Sequence, residues 1–184
     1  MKTKKKRTTF LPPLNSNANI AKKPRYIKSK AVKSLEIMAD MASRKKYPMI
    51  PLECLAPRKY SDKTANGLTK CIVHFIRFKG YQAERINTTG RIINNRKSFV
   101  DVVGRTRFIG EGAKWIPGTG TKGSADISAT IRGKSVKIEV KIGRDRQSEY
   151  QKQYQRDIER AGGTYIIART FEQFLNWFNQ YEAK

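Results

Sequence analysis

The sequence predicts an α/β fold in which helices flank a small mixed β-sheet, preceded by a basic N-terminal extension. Two observations carry this. Residues 126–141 alternate apolar and polar side chains on both sides of Arg132-Gly133-Lys134, the period of two paired strands. Around them, apolar stripes at helical spacing alternate along the chain with short strand-like runs, the order expected of a sheet packed by helices.

Residues 1–29 are basic, contain prolines and show no periodicity, which predicts a mobile arm. Ala31–Lys45 sets Leu35, Met38, Ala39 and Ala42 at helical spacing and predicts a short amphipathic helix. Tyr47–Lys63 holds three prolines and reads as an irregular connection. The expected division is therefore an arm with a short helix over 1–60 and a domain over 61–184.

Thr64–Lys79 predicts a helix with Leu68, Cys71, Ile72, Phe75 and Ile76 in one stripe, stopped by Gly80. Tyr81–Asn87 reads as a strand and Thr88-Thr89-Gly90 as a turn. Residues 91–117 carry three short apolar runs separated by glycines and suggest extra strands or a long hairpin. Trp115 and Tyr154 are expected in the core, with base-stacking groups as the alternative reading. Pro117–Gly123 holds three glycines and reads as a loop. The alternating pair follows. Ser148 and Gln151 have the spacing of a capping box, opening a helix whose stripe is Tyr150, Tyr154, Ile158 and Ala161. Tyr165–Ala168 is a strand. Thr170 and Gln173 open a last helix, packed through Phe171, Phe174, Leu175 and Phe178.

The net charge is +24, and its distribution is uneven. Residues 1–63 hold 17 Lys+Arg against 4 Asp+Glu, and residues 64–184 hold 22 against 11. Such a balance points to a polyanionic partner, foremost nucleic acid. No run approaches the roughly 18 apolar residues of a membrane span, and Phe10-Leu11 is followed at once by Pro12-Pro13, unlike a signal peptide. The two cysteines, Cys54 and Cys71, lie too far apart for a C-x-x-C motif and read as reduced thiols of a cytoplasmic protein. His74 is the sole histidine and sits on a helix flank, so carboxylates and lysine are left to carry any chemistry.

The residues that invite chemistry are Asp126, Glu139 and Lys141. Period 2 puts Glu139 and Lys141 on one face of a strand, about 6.6 Å apart at the usual rise. Asp126 opens the neighbouring strand, and a hairpin register could bring it beside Glu139. Paired carboxylate oxygens hold a hard cation such as Mg²⁺, with Mn²⁺ as a substitute, and a lysine alongside can neutralise charge growing on a phosphate. The plain alternative is a solvated strand face bearing Lys137, Glu139 and Lys141. Arg85, Arg91 and Lys122, with Arg144 and Arg146 before the helix, are candidates for DNA-backbone contact.

Gly123-Ser-Ala-Asp126, Glu139-Val-Lys141 and Ser148-Glu-Tyr-Gln151-Lys-Gln-Tyr154 together resemble the PD-(D/E)xK nuclease superfamily. Within it the pattern is most similar to the virus-type replication-repair nuclease domain (VRR-NUC) and to Holliday-junction resolvase-like relatives. The similarity is tight over 123–163 and loose over 64–122. It implies a restriction-endonuclease-like fold and a Mg²⁺-dependent DNA endonuclease acting on branched or flapped DNA. Asp126 and Glu139 would hold the metal with the Val140 backbone carbonyl, Lys141 would be the catalytic lysine, and Gln151 would orient the site. The family's first helix usually supplies a further acid; Thr64–Lys79 has none, leaving Asn66, Asp62 just upstream, or Glu84 on the next strand as possible additional metal-site residues. The expected partners are DNA and a second copy of the chain. The expected setting is a host-cell cytoplasm or a virion, since a compact, strongly basic chain suits a virus or mobile element. The competing expectation is a nuclease-fold protein with weak catalysis that binds or packages nucleic acid.

Overall fold

The computed structural model describes residues 26–183. In chain order the elements are α1 (Lys30–Lys46), α2 (Ala65–Phe78), β1 (Gln82–Arg85), β2 (Arg91–Asn94), β3 (Lys97–Val100), β4 (Thr106–Ile109), β5 (Ala113–Ile116), β6 (Ile127–Ile131), β7 (Lys134–Val140), α3 (Glu149–Arg160), β8 (Thr164–Ala168) and α4 (Phe171–Glu182). A short 3₁₀ turn at Leu52–Cys54 interrupts the connection after α1.

Each helix begins where a short hydroxyl side chain can accept from an otherwise unpaired N–H. Ser29 caps α1, Thr64 caps α2, Ser148 caps α3 and Thr170 caps α4. The predicted capping box of Ser148 and Gln151 is present in both directions. Between β6 and β7 the loop is two residues, with Ile131 opposite Lys134. Arg132 and Gly133 both adopt positive φ, 51° and 76°, the turn whose twist matches that of the strands. Arginine is an unusual occupant of that conformation. Its guanidinium Nη1 donates to the Glu182 carbonyl over 2.7 Å and so ties the hairpin to the end of α4.

The main sheet has the order β1-β6-β7-β8. The first three strands are antiparallel, and β8 joins β7 in parallel after the α3 crossover, so the sheet is mixed as predicted. Alternation sorts its side chains. Ile127, Ala129 and Ile131 with Val136, Ile138 and Val140 are buried on one face, in a core shared with α1, α2 and α4. Phe75 sits at the middle of that core, its ring edge-on to Phe171, Phe174 and Phe178 at 5.0–6.0 Å between centroids. Removing a Leu, Ile or Phe of this kind from water contributes roughly 1.5–3 kcal/mol. The opposite face carries Ser128, Lys137, Glu139 and Lys141, and α3 reaches it through Gln151.

Three expectations need correction. The body does not start at residue 61: Ala31, Val32, Leu35 and Ala39 of α1 and Tyr60 belong to the same core as Phe171 and Phe178. An amphipathic helix has to bury its stripe, and the groove beside α2 and α4 is where it does so. The arm is also shorter than expected. Residues 1–25 lie outside the described residues, but Tyr26 donates its hydroxyl to Asp62 over 2.6 Å and Ser29 caps α1. Finally, α3 has no fully buried residue, and Tyr150 is exposed while Tyr154 and Ile158 are half-buried.

Residues 91–116 form one long hairpin, with β2 paired to β5 and β3 paired to β4. Two residues separate the paired segments on the outgoing arm and three on the return, which places a bulge at Gly110, φ 98°. Trp115 is 61% exposed on this hairpin and not in the core, a fourth expectation overturned. A two-stranded ribbon has no second layer to cover its faces.

Candidate active site

The β6–β7 ladder pairs Ile127 with Ile138, so the next rung sets Asp126 opposite Glu139. Asp126 Oδ2 accepts the Val140 N–H over 2.9 Å, fixing that carboxylate against the second strand. Its own carbonyl accepts the Ile86 N–H over 2.8 Å, so the same residue anchors the end of β1. Glu139 is 2% exposed and Lys141 is 6% exposed. Lys141 Nζ lies 3.1 Å from Glu139 Oε1, 3.3 Å from Asp145 Oδ2 and 3.1 Å from Gln151 Oε1. Three acceptors match the three donors of an ammonium group.

Gln151 holds both ends of this pair. Its amide nitrogen donates to Glu139 Oε1 over 2.5 Å. Its amide oxygen accepts from Lys141 and from the Ser148 N–H, so the capping box and the site share one side chain. The loop carrying Gly123 makes this approach possible. A Cβ at Gly123 would fall 2.5 Å from the Tyr150 carbonyl, and the residue has φ 82°, so glycine is required twice over.

Electrically the site favours the neutral acid at Glu139. Burial first, and the adjacent Asp126 charge second, push the Glu139 carboxyl up to about 7 against the opposing pull of Lys141. Glu139 Oε2 is buried with no hydrogen-bond partner. A buried charged pair of this type adds little stability over an apolar replacement. A carboxylate oxygen left unpaired beside a second carboxylate fits a hard cation. Asp126, Glu139 and the neighbouring Val140 carbonyl are the groups that would hold it. Among the described residues no group of three or more His, Cys, Asp or Glu side chains is placed to hold a metal ion together.

The remaining candidates distribute as follows. Asn66 is exposed on α2, and its side-chain oxygen accepts from Arg85 Nη2 over 2.8 Å. Glu84 is exposed on β1 opposite Ser128. Asp62, just upstream of α2, accepts from Tyr26 and from the Phe171 N–H, which makes it a structural acid at the start of α4. Arg85, Arg91, Lys122, Arg144 and Arg146 are all exposed, with Lys122 Nζ 3.7 Å over the Tyr150 ring. His74 lies on α2, across the sheet, with Nδ1 2.6 Å from the Tyr60 hydroxyl. The Cys71 thiol is pushed up to about 12 by burial and is inert, whereas Cys54 is exposed.

Two participants escaped the sequence reading. Asp145 is an ion partner of Lys141, and the signal was its i+4 spacing. Arg169 Nη1 donates to the Gly143 and Asp145 carbonyls over 3.2 Å each and holds the loop that bears Arg144 and Arg146. Its position follows from β8 lying beside β7, which no local pattern announces. No helix of the described residues is long and apolar enough to cross a membrane. The chain matches no protein-family model and no curated protein.

Proposed function

We propose that the protein is a Mg²⁺-dependent DNA endonuclease that hydrolyses phosphodiester bonds, acting on branched or flapped DNA. The observation that carries the reading is the buried Glu139 carboxylate, one oxygen tied to Lys141 and Gln151 and the other without a partner, facing Asp126 across the hairpin. In a chain of net charge +24, two facing acids are a liability for DNA binding unless a cation sits between them and the phosphate.

The roles follow from position. Asp126 and Glu139 supply anionic oxygens, and Gln151 keeps the Glu139 carboxylate turned toward Asp126. Lys141 brings a positive charge to the edge of that pair, where it stabilises the charge developing on a phosphate. A bound Mg²⁺ supplies Lewis-acid polarisation of the phosphate and a more acidic water. Arg85, Arg91, Lys122, Arg144 and Arg146 grip the backbone without reading sequence. A homodimer, pairing two sites across a two-fold axis, and a setting in a host-cell cytoplasm or virion belong to the same proposal.

A second reading has its own observation. Among the described residues no three acids, His or Cys are placed to hold a metal together, and the Asn66 amide is engaged by Arg85. Under this reading the fold binds or packages nucleic acid and cuts poorly. The test is incubation of a four-way junction, a flap and a plain duplex with Mg²⁺, Mn²⁺ or EDTA, for wild type, Asp126→Ala and Lys141→Ala. Metal-dependent cleavage lost in both variants, with binding kept, supports the nuclease. Binding without cleavage on every substrate supports the packaging protein.

A further inference from the structure

Apart from Arg91, the hairpin of residues 91–116 is a feature that the proposed chemistry leaves unused. Its exposed side chains are those a small protein normally hides. Trp115, Phe108 and Phe99 are 61%, 56% and 44% exposed, and Ile92, Val100 and Ile109 are exposed too. At its tip Val102 and Val103 face solvent completely or nearly so. The register puts Phe99 and Ile109 with Lys97 and Arg107 on one face and Phe108 and Val100 on the other, so both faces of the ribbon offer apolar groups, and exposure of this kind marks a contact site.

Cations thread through it. Arg91, Arg96, Lys97, Arg105, Arg107 and Lys114 stand against Asp101 and Glu111 alone. Of the six, Arg107 is the one with an ion-pair partner among the described residues, Asp101 at 3.0 Å. The Arg96 guanidinium lies 4.1 Å over the Phe108 ring, so charge and ring share one face instead of forming an apolar centre with a polar rim. Two copies docking through this surface would bring like charges together on chains already at +24, whereas a polyanion relieves them. The hairpin is inserted between β1 and β6, the strands that meet at Asp126 through the Ile86 N–H. Whatever it holds is led to the candidate site.

We infer that the 91–116 ribbon is a DNA-binding arm whose cations track the phosphate backbone and whose rings and apolar tip engage unpaired or unstacked bases. The inference rests on DNA being the partner and specifies which DNA: strands with unpaired segments rather than flush duplex. Every base offers a π-face to an exposed ring, so recognition is tolerant of sequence. Apolar side chains at a β-arm tip enter readily where stacking is already broken.

The test is binding in EDTA at one fixed salt concentration, read by fluorescence anisotropy. The probes are a labelled single strand, the blunt duplex of the same sequence, and that duplex with an unpaired flap. Wild type is expected to bind the single strand and the flap about tenfold more tightly than the blunt duplex. Trp115→Ala and Phe108→Ala should each weaken single-strand binding roughly five- to tenfold, with circular dichroism unchanged, while Trp115→Phe recovers most of the loss. Unaltered single-strand affinity in the Trp115→Ala/Phe108→Ala double variant overturns the proposal. So does a dimer, seen by sedimentation, that this variant dissolves while DNA binding persists, since the ribbon then serves a second copy. Because EDTA removes any cation, the outcome is independent of cleavage. A wild type that shows this binding pattern yet cuts nothing with Mg²⁺ defeats the nuclease reading and leaves the ribbon's role standing.

Discussion

Gln151 donates its side-chain amide to Glu139 across 2.5 Å, from a helix N-terminus to a strand, and the same amide accepts from Lys141. The side chain that completes a helix cap therefore also sets the orientation of the buried acid. Gln151→Ala is expected to cost about 1–3 kcal/mol, combining a lost cap with unpaired buried partners. It should also slow cleavage by roughly 10- to 100-fold, the usual effect of losing a group that orients a ligand. Ser148→Ala separates the two effects, because it removes the cap and spares the Glu139 contact: about 1 kcal/mol of stability lost, with cleavage near wild type. Thermal unfolding and cleavage rates on the same preparations decide. Equal activity losses in both variants would tie Gln151 to stability alone.

The pH response follows from Glu139. Its carboxyl titrates at about 7 in the fold against an ordinary value of 4.5. Without metal, the folded state holds the proton more tightly than the unfolded chain does. Stability from this group is thus full below 4.5 and is lost as pH rises to and through 7, by about 3 kcal/mol in total. A divalent cation requires the charged form and competes with that proton. Its apparent affinity should fall up to about tenfold per pH unit below 7 and level off above. Calorimetric titration of Mg²⁺ or Mn²⁺ at pH 6, 7 and 8 tests this, and Glu139→Gln should weaken metal binding at every pH and raise metal-free stability at pH 8.

Burial of α1 ties the segment from Ala31 to Tyr60 to the body of the fold. Deleting residues 1–25 should leave thermal stability unchanged, whereas deleting 1–60 should give an aggregating, unfolded chain because Leu68, Phe75 and Phe171 lose their cover. Leu35→Ala, at 1% exposure, is expected to cost about 2–5 kcal/mol. A folded, cooperative 61–184 fragment would contradict the shared core.

The same 1–25 deletion addresses the arm's electrical role. It removes eight cations and no acid. DNA affinity should drop and the slope of log affinity against log salt should flatten, while the cleavage pattern on a flap stays the same. An unchanged slope would show that these lysines and arginines do not touch phosphate.

Much of the molecule was legible from local pattern. The alternation around Arg132-Gly133 gave β6 and β7, and their parity alone put Glu139 and Lys141 on one face. Ser148 with Gln151, and Thr170 with Gln173, marked helix starts because a cap is a contact between neighbours in sequence. Asp126 opposite Glu139 was legible as a possibility that the hairpin register then made definite. Other features were out of reach. That α1 shares a core with α4, more than a hundred residues away, depends on which groove is left open when four strands and three helices have packed. That Arg169 holds the loop of Asp145 depends on β8 choosing β7 as a parallel neighbour. Trp115 looked like a core residue because size and apolarity say only that burial is favourable, not that a second layer exists to provide it. Sequence determines what a segment prefers within a few residues of itself. The covering of one surface by another is settled by long-range competition for the same faces, and only the assembled fold records who won.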